Sequence, residues 1–202
     1  MMSQGELRIY RALYLNKEGL HIRDISKKAK LTLPAVVKHI NKGEKNGIVF
    51  CKITGRMKIC RLIFGSKTII SILNEVELAR FNELSKTIKD SLTSFIEDLQ
   101  EKPLIALIFG SYVSGNQTKN SDLDILLVYQ RIDTILMKKI ENSATKIRGR
   151  TNVSIEPVGI SYDEFQKEIM NIENEFMKDI RKSAMIIHGI DSYLNVVKRF
   201  YS

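Results

Sequence analysis

One segment restricts the fold of this chain more than any other: two apolar runs that flank a short polar stretch. The apolar residues 104–109 lead directly into Gly110 and Ser111, and Asp122 and Asp124 stand where the second apolar run begins. Short apolar runs bounded by turn residues are typical of buried strands. We therefore expect two buried strands, with the polar stretch joining the end of the first to the start of the second.

The two aspartates of this stretch predict a metal site. Asp122 and Asp124 lie two positions apart in a β-prone run, so both carboxylates project from the same face of a strand. Two neighbouring carboxylates repel each other unless a cation lies between them. Mg²⁺ prefers oxygen ligands and is commonly bound together with substrate phosphates. The pattern therefore predicts Mg²⁺ with a nucleoside triphosphate.

The glycines and Ser111 fit a phosphate site beside the aspartates. Gly110, at the end of a buried strand, allows the backbone to approach a ligand closely. We expect a short helix over residues 111–114, whose N–H groups, dipole and Ser111 hydroxyl favour a phosphate. Gly115 then permits the turn that returns the chain toward the aspartates.

This segment resembles the minimal nucleotidyltransferases of the DNA polymerase β-like nucleotidyltransferase superfamily. The signature is matched at every fixed position and spacing by Gly110-Ser111, then three intervening residues and Gly115, then five intervening residues and Ser121-Asp122-Leu123-Asp124. The alternative, in which these are ordinary turn residues, would require all six matches to be coincidental.

The resemblance covers about residues 84–190. It implies a small mixed sheet covered by helices, and transfer of a nucleoside monophosphate from a triphosphate, ATP being the first candidate, to a hydroxyl acceptor. It implies two Mg²⁺ ions, Asp122 and Asp124 as catalytic and metal-binding residues, and Gly110, Ser111 and Ser121 as nucleotide-binding residues.

The family usually supplies a third carboxylate from a neighbouring strand. Glu156 is the only acid of the β-like run 152–160 and is therefore the candidate for this catalytic and metal-binding role, although the family more often has Asp here. The alternative is a surface acid on an edge strand marked by Pro157. Ser114 is a second departure, because many relatives have a basic residue just before the second glycine. Lys119, Lys182 or a partner subunit could supply that charge.

The positive charge of the chain is concentrated at its N-terminal end. Residues 1–66 hold 14 of the 32 Lys and Arg residues but only 4 of the 23 Asp and Glu residues, which makes this segment +10 and the remainder −1. Such asymmetry indicates a polyanionic partner, nucleic acid first of all. A lysine-rich solvated surface is the alternative.

The order of elements in residues 3–66 resembles the winged helix-turn-helix family. Apolar spacing predicts helices over about 3–16, 22–29 and 32–46, the third burying Val36, Val37 and Ile40. Two β-prone runs, 48–53 and 57–63, then form a hairpin. The resemblance implies binding of double-stranded DNA by the third helix and the wing. The expected contacts are Thr32, Ala35, Lys38, His39 and Lys42 from the helix, and Lys52, Arg56 and Lys58 from the wing.

These observations predict an α+β chain in three parts. They are a winged-helix domain over residues 1–66, a helical linker over 67–101 and a nucleotidyltransferase domain over 102–202. The linker's apolar stripe packs on the C-terminal domain or forms the seam of a homodimer. Cys51 and Cys60 bracket the hairpin and could face each other, although two small buried residues are favoured over a disulfide in a cytoplasmic chain.

Two classes of function remain open at this point. The chain is a DNA-directed nucleotidyltransferase, or it is a DNA-binding transcriptional regulator whose nucleotidyltransferase domain only senses nucleotide. A winged helix that binds protein is a third reading, which the charge disfavours. No apolar run approaches the roughly 18 residues of a membrane span, and the N-terminus lacks the apolar stretch of a signal peptide, so we expect a cytoplasmic protein without a membrane partner.

Overall fold

The computed structural model describes residues 2–55, 57–118 and 121–201. The chain divides into two compact units: a first unit of Met1–Val76 with Val197–Ser202, and a second unit of Glu77–Val196. A three-stranded sheet belongs to the first and a four-stranded sheet to the second. The architecture is therefore α+β, as expected. The predicted functional limits at residues 66 and 101 fall inside these units and stay predictions.

The first unit has three helices and an antiparallel sheet in its described residues up to Leu62, and the start of a further helix follows them. Its elements are α1 Gln4–Tyr14, β1 Leu20–His21, α2 Ile22–Ala29, α3 Leu33–Lys45, β2 Val49–Thr54 and β3 Met57–Leu62. The strands are ordered β1-β3-β2, and the core includes the fully buried Ile9, Leu13, Ile25 and Ile40. Helix α1 begins with a capping box, in which the Ser3 hydroxyl accepts from the Glu6 N–H and the Glu6 carboxylate accepts from the Ser3 N–H.

Two expectations for the first unit are wrong. Val37 is 42% exposed, whereas Val36 and Ile40 are buried. The reason is helical geometry, since residues four apart share a face and Val37 lies about 100° around from Val36. Cys51 and Cys60 form a disulfide and are not two independent thiols. They are directly opposite each other in the β2–β3 register with Cα atoms 4.1 Å apart, within bonding reach.

The helical segment after the hairpin is two helices, α4 Ile69–Glu83 and α5 Lys86–Asp98. Ser85 separates them because its hydroxyl caps the new helix by accepting from the Ile88 N–H at 3.3 Å. The apolar stripe of α5, which includes Leu92 and Phe95, is buried in the core of the second unit. This part of the stripe therefore packs on its own domain, and the dimer seam stays a prediction.

The second unit is a mixed sheet covered by helices. Its remaining elements are β4 Ile105–Ile108, α6 Ser111–Ser114, β5 Leu123–Tyr129, α7 Thr134–Thr151, β6 Ile155–Ser161, α8 Tyr162–Met170, α9 Glu175–Ser183, β7 Met185–His188 and α10 Ile190–Val197. The strand order is β6-β5-β4-β7, with β6 parallel to β5 and the other pairs antiparallel. Because α7 connects the two parallel strands, β5, α7 and β6 form a βαβ unit. This unit places β6 beside β5 in the sheet.

Apolar spacing predicts one helix over residues 162–182 and a last helix over 192–200, and both predictions are wrong in their limits. The first helix is interrupted between Met170 and Glu175, where the Asn174 side chain caps α9 by accepting from the Met177 N–H at 3.0 Å. The last helix spans Ile190–Val197. Among the described residues, no helix is long and apolar enough to cross a membrane.

Two buried arginines have structural roles in the second unit. Arg80 donates to the Glu77 carboxylate and to the Ser183 and Ala184 carbonyls, and Arg181 donates to the Ile169 and Asn171 carbonyls. Buried charges require such partners. Both arginines therefore hold the loops around α9 in place.

Candidate active site

The site begins where β4 ends. The Phe109 N–H donates to the Asp124 carbonyl at 3.1 Å, which extends the β4–β5 ladder by one residue. Gly110 follows with φ 72° and ψ −143°, and a Cβ placed there would collide with the Asp124 carboxylate. Glycine is required at this position for two reasons. Its backbone adopts a positive φ without strain, and the Asp124 carboxylate occupies the space that a Cβ would take. Asp124 lies directly against the turn between strand and helix.

The helix expected over residues 111–114 is present as the single turn α6, capped by Gly110 and ended by Gly115 at φ 77°. The Asn116 N–H donates to the Ser111 carbonyl at 3.1 Å and closes the turn. Ser111 is thereby at the first position of the helix, beside Gly110 and the Asp124 carboxylate.

The loop before β5 is held by Ser121. Its hydroxyl accepts from the Thr118 N–H at 2.8 Å, and its carbonyl accepts from the Tyr112 hydroxyl at 3.4 Å. These bonds position the following residue, Asp122. Ser121, expected from the sequence to be a nucleotide ligand, is thus engaged in shaping the loop. Lys119 lies outside the described residues.

The sheet places Glu156 beside Asp124. The two residues are Cα partners in the parallel β5–β6 pair, and the Leu123 N–H donates to the Ser154 carbonyl at 2.9 Å at the entry to that pair. Register partners project from the same face of a sheet. Since the Phe109–Asp124 hydrogen bond continues the β4–β5 register, Phe109, Asp124 and Glu156 lie side by side across three strands. We call the three acids Asp122, Asp124 and Glu156 the carboxylate row.

The carboxylates influence one another electrostatically. Burial raises the pKa of Asp124, and the negative charges of Asp122 and Glu156 raise it further. Burial and the charge of Asp122 likewise raise the pKa of the Tyr112 hydroxyl. Asp122 and Glu156 are exposed, and Asp124 is half-buried. The row is therefore an open, negatively charged surface where β5 and β6 begin, and its carboxylates repel one another.

The carboxylate oxygens of this row are suitable ligands for a hard divalent cation. Carboxylate oxygens are the ligands that Mg²⁺ takes from proteins, and a cation would relieve the repulsion felt by Asp124. Among residues 2–55, 57–118 and 121–201, however, no three His, Cys, Asp or Glu side chains are already gathered closely enough to hold a metal ion. Asp122 and Asp124 are the two acids that a metal ion could contact first. Glu156 is the register partner of Asp124 and is the candidate for a third ligand.

An aromatic pair adjoins the row on the side away from Glu156. The rings of Phe109 and Phe176 meet edge to face with centroids 5.2 Å apart, and Phe176 is 39% exposed. Neither residue was expected at the site. Phe109 could have been found as the last residue before Gly110, whereas the contact with Phe176 of α9 is tertiary and has no sequence signal. Lys182, also on α9, is exposed.

The residues expected to contact DNA have different surroundings in the structure. Thr32, Lys38 and Lys52 are exposed, and Ala35 is half-buried. The His39 ring packs on α1, because a Cβ added to Gly5 would lie 2.8 Å from its Nε2. Arg56 lies outside the described residues.

Two of the expected DNA-binding lysines form ion pairs. The Lys42 ammonium lies 2.7 Å from a Glu6 oxygen, and the Lys58 ammonium lies 2.6 Å from a Glu44 oxygen. Each lysine is thus partly neutralised by an acid of its own unit. The sequence could not show this, since Glu6 is 36 positions from Lys42.

One family model matches part of the second unit. Residues 90–180 match the model described as polymerase beta, nucleotidyltransferase. That range contains Gly110, Ser111, the aspartates and Glu156, and the match suggests nucleotidyl transfer in general. No curated protein and no solved structure matches the chain significantly.

Proposed function

We propose that this chain is a Mg²⁺-dependent nucleotidyltransferase that moves a nucleoside monophosphate from a nucleoside triphosphate, ATP first among them, to a hydroxyl acceptor. The observation that carries the proposal is the Asp124 carboxylate, which lies against Gly110 at the strand–helix turn in register with Glu156. This contact supports the proposal because a phosphate bound at the turn would lie beside the carboxylates, as transfer from a triphosphate requires.

In this proposal, one set of residues binds the phosphates and another binds the metal ions. The backbone at Gly110 and the Ser111 hydroxyl would bind the β- and γ-phosphates, and Asp122, Asp124 and Glu156 would hold two Mg²⁺ ions. When bound, these ions supply charge neutralisation and activation of the attacking hydroxyl. Positioning and charge stabilisation account for most of the acceleration in reactions of this kind.

The reaction balances as a single displacement. The acceptor oxygen forms a bond to the α-phosphorus, the bond between that phosphorus and the bridging oxygen breaks, and pyrophosphate leaves with the electron pair. The Glu156 carboxylate, exposed at the edge of the row, takes the proton of the acceptor hydroxyl.

We further propose that the first unit is a winged helix that binds double-stranded DNA. The support is its order of elements, three helices followed by the β2–β3 hairpin, together with the net charge of +10 over residues 1–66. Thr32 and Lys38 of α3 and Lys52 of β2 are the exposed members of the expected contact set. Lys42 and Lys58 contribute less charge than expected because of their ion pairs.

The alternative function is a DNA-binding regulator whose second unit binds nucleotide without turnover. One observation favours it, namely that the three carboxylates are not gathered into a metal-binding group among the described residues. The carboxylate of Glu156 separates the alternatives, because a regulator has no use for a residue that accepts a proton.

The test is incubation with each labelled ribonucleoside triphosphate and Mg²⁺, with pyrophosphate release and label transfer as readouts. We expect both for one nucleotide, loss of both in Asp122→Asn/Asp124→Asn, and a fall of about 10²-fold in kcat with little change in KM for Glu156→Gln. The Asp191→Asn variant, exposed on α10, is the matched control. Nucleotide binding without pyrophosphate release, across protein, nucleic-acid and small-molecule acceptors, would establish the regulator instead.

A further inference from the structure

A basic cavity in the first unit lies outside the set of residues expected to contact DNA. This open cavity of about 570 Å³ is bordered by α1 and by the end of α2. Its charged lining residues, all of them described, are Arg8, Arg11, Lys28 and Lys30, and no Asp or Glu is among them. We call it the basic cavity.

The charged residues that line the basic cavity are all positive. Arg8 and Arg11 of α1 and Lys28 and Lys30 at the end of α2 border one concave surface. Four like charges around one concavity focus a positive potential there. An anion is therefore attracted to this cavity.

Lys30 has an unusual backbone conformation for a lysine. It ends α2 in the left-handed region at φ 52° and ψ 49°, and its N–H donates to the Ser26 and Lys27 carbonyls. Glycine or asparagine is the usual residue at such a helix end, because a larger side chain is strained there. A strained conformation retained at a charged position points to a role for the side chain.

We infer that the basic cavity binds phosphate groups of the backbone of duplex DNA. The inference rests on the DNA-binding role proposed above and adds a contact site to it. Lys30 stands two residues before Thr32, the N-cap of α3, so the cavity adjoins the start of the helix proposed for the major groove. Arginine and lysine contacts to phosphates fix the position of a protein on the duplex without reading its sequence.

The first experiment measures binding of the full chain to a fluorescein-labelled duplex of about 30 base pairs, between about 50 and 200 mM NaCl. The variant Arg8→Gln/Lys28→Gln removes two cavity charges. Lys67→Gln/Arg199→Gln is the matched control, since it removes one lysine and one arginine that are exposed elsewhere in the same unit. Each phosphate contact contributes about −0.9 to the slope of log K against log[salt], so we expect the cavity variant to lose about two units of slope. The control should keep the slope of the unaltered chain.

A second variant separates binding from folding. Lys30→Gly suits the left-handed backbone, so we expect an unchanged or raised Tm together with weaker DNA binding and a slope reduced by about one unit. Cavity variants that bind the duplex as tightly as the control, with the same slope, would overturn the inference.

Failure of the DNA-binding proposal itself gives a different result. If the unaltered chain does not bind the duplex at any salt concentration, calorimetric titration with inorganic tripolyphosphate decides what the cavity binds. Tripolyphosphate binding that is lost in Arg8→Gln/Lys28→Gln would refute the DNA assignment and identify a soluble polyphosphate as the source of the phosphate. Absence of both kinds of binding would remove the basic cavity as a phosphate site.

Discussion

At the scale of single residues, the candidate site depends on the fit between Gly110 and Asp124. The sequence predicted both residues, because each belongs to a motif with fixed spacing. It could not predict that the Asp124 carboxylate occupies the space where any other residue would place its Cβ. That constraint arises from the β4–β5 register, which brings positions 109 and 124 together across the sheet.

The first prediction tests this fit. Gly110→Ala should reduce nucleotidyl transfer by about 10²-fold, because the new methyl group displaces the Asp124 carboxylate, and displacements of about 1 Å are sufficient for such losses. The measurement is kcat/KM for pyrophosphate release, with circular dichroism to verify that the variant folds.

Gly115→Ala is the control for backbone strain. Gly115 has a similar φ of 77°, but no atom lies within 4 Å of the position that an added methyl group would take, so its alanine variant has the strain without the collision. We expect the activity of Gly115→Ala to fall by less than about tenfold, compared with about 10²-fold for Gly110→Ala. Equal losses in the two variants would mean that the glycine backbone angle matters and the contact with Asp124 does not.

Element by element, strands were predicted more closely than the ends of helices. Both strands that flank the motif begin and end close to the expected limits, since apolar runs between turn residues define them well. The break at Asn174 was missed because the apolar periodicity continues through it, without any Gly or Pro. For the same reason the sequence predicted either one long helix or two consecutive helices over residues 66–101, and the structure has two, separated at Ser85. The neighbour of Glu156 could not be predicted from spacing alone, since it depends on the parallel pairing made by β5, α7 and β6.

The contact between α1 and α3 leads to the second prediction. The hydrogen bond from the Lys42 ammonium, followed by the one from the Ser3 N–H, lowers the pKa of Glu6 to about 2 from its ordinary 4.5. A lowered pKa stabilises the fold above pH 4.5, and this stabilisation is lost as the pH falls from 4.5 toward 2. Because Lys42 is largely exposed and screened, we expect Glu6→Gln to lower the free energy of unfolding by about 1–2 kcal/mol at about pH 7.

Urea unfolding at several pH values checks this prediction. Glutamine can still accept from the Ser3 N–H, so the variant removes the charge and leaves the capping box. The difference in unfolding free energy between the two proteins should shrink as the pH falls from about 4.5 to about 2.5. A difference that does not change with pH would show that Glu6 acts through packing or capping and not through its charge.

The β2–β3 hairpin provides the third prediction. Cys51 and Cys60 are nine residues apart and joined by a disulfide, so the closed loop is short. Cross-links of this loop length stabilise a fold by about 2–3 kcal/mol in the chain-entropy treatment. We expect reduction with dithiothreitol to lower the stability of the first unit by about that amount, as a shift in urea unfolding followed by circular dichroism.

The double variant Cys51→Ser/Cys60→Ser controls for other effects of the reductant. Its unfolding curve should be the same with and without dithiothreitol and should resemble that of the reduced chain. An unaltered chain whose unfolding does not respond to dithiothreitol, with two free thiols by labelling, would contradict the disulfide. The expectation of free thiols rested on compartment, whereas the cross-strand register is the feature that brings the sulfur atoms together.

For the whole molecule, charge and chemistry belong to different units. The first 66 residues have a net charge of +10 and the remaining residues a net charge of −1, while the carboxylate row lies entirely in the second unit. We therefore expect a polyanion to be attracted to the first unit and a metal–nucleotide complex to bind to the second. The homodimer remains a prediction. Helix α4 has two exposed apolar side chains, Ile70 and Leu78, that a dimer could cover. Light scattering that shows a monomer at micromolar concentration would contradict the homodimer.

This separation leads to the fourth prediction, a double dissociation of the two activities. Asp122→Asn/Asp124→Asn should abolish nucleotidyl transfer and leave DNA affinity within about twofold, because the lost charges lie outside the basic unit. Lys38→Gln/Lys52→Gln should weaken binding to a duplex by roughly tenfold at about 0.1 M salt through the loss of phosphate contacts. The latter variant should keep its kcat/KM for pyrophosphate release, since neither lysine belongs to the carboxylate row.

The outcome decides how the two units are used together. If the lysine variant keeps its transfer activity, DNA binding localises or regulates an enzyme whose acceptor is another molecule. If it loses transfer in proportion to its loss of DNA affinity, the duplex is itself the acceptor or an activator, and independence of the units is refuted. Transfer measured with and without duplex at about 50 and 200 mM NaCl separates these cases, because only a DNA-dependent reaction inherits the steep salt dependence of phosphate binding.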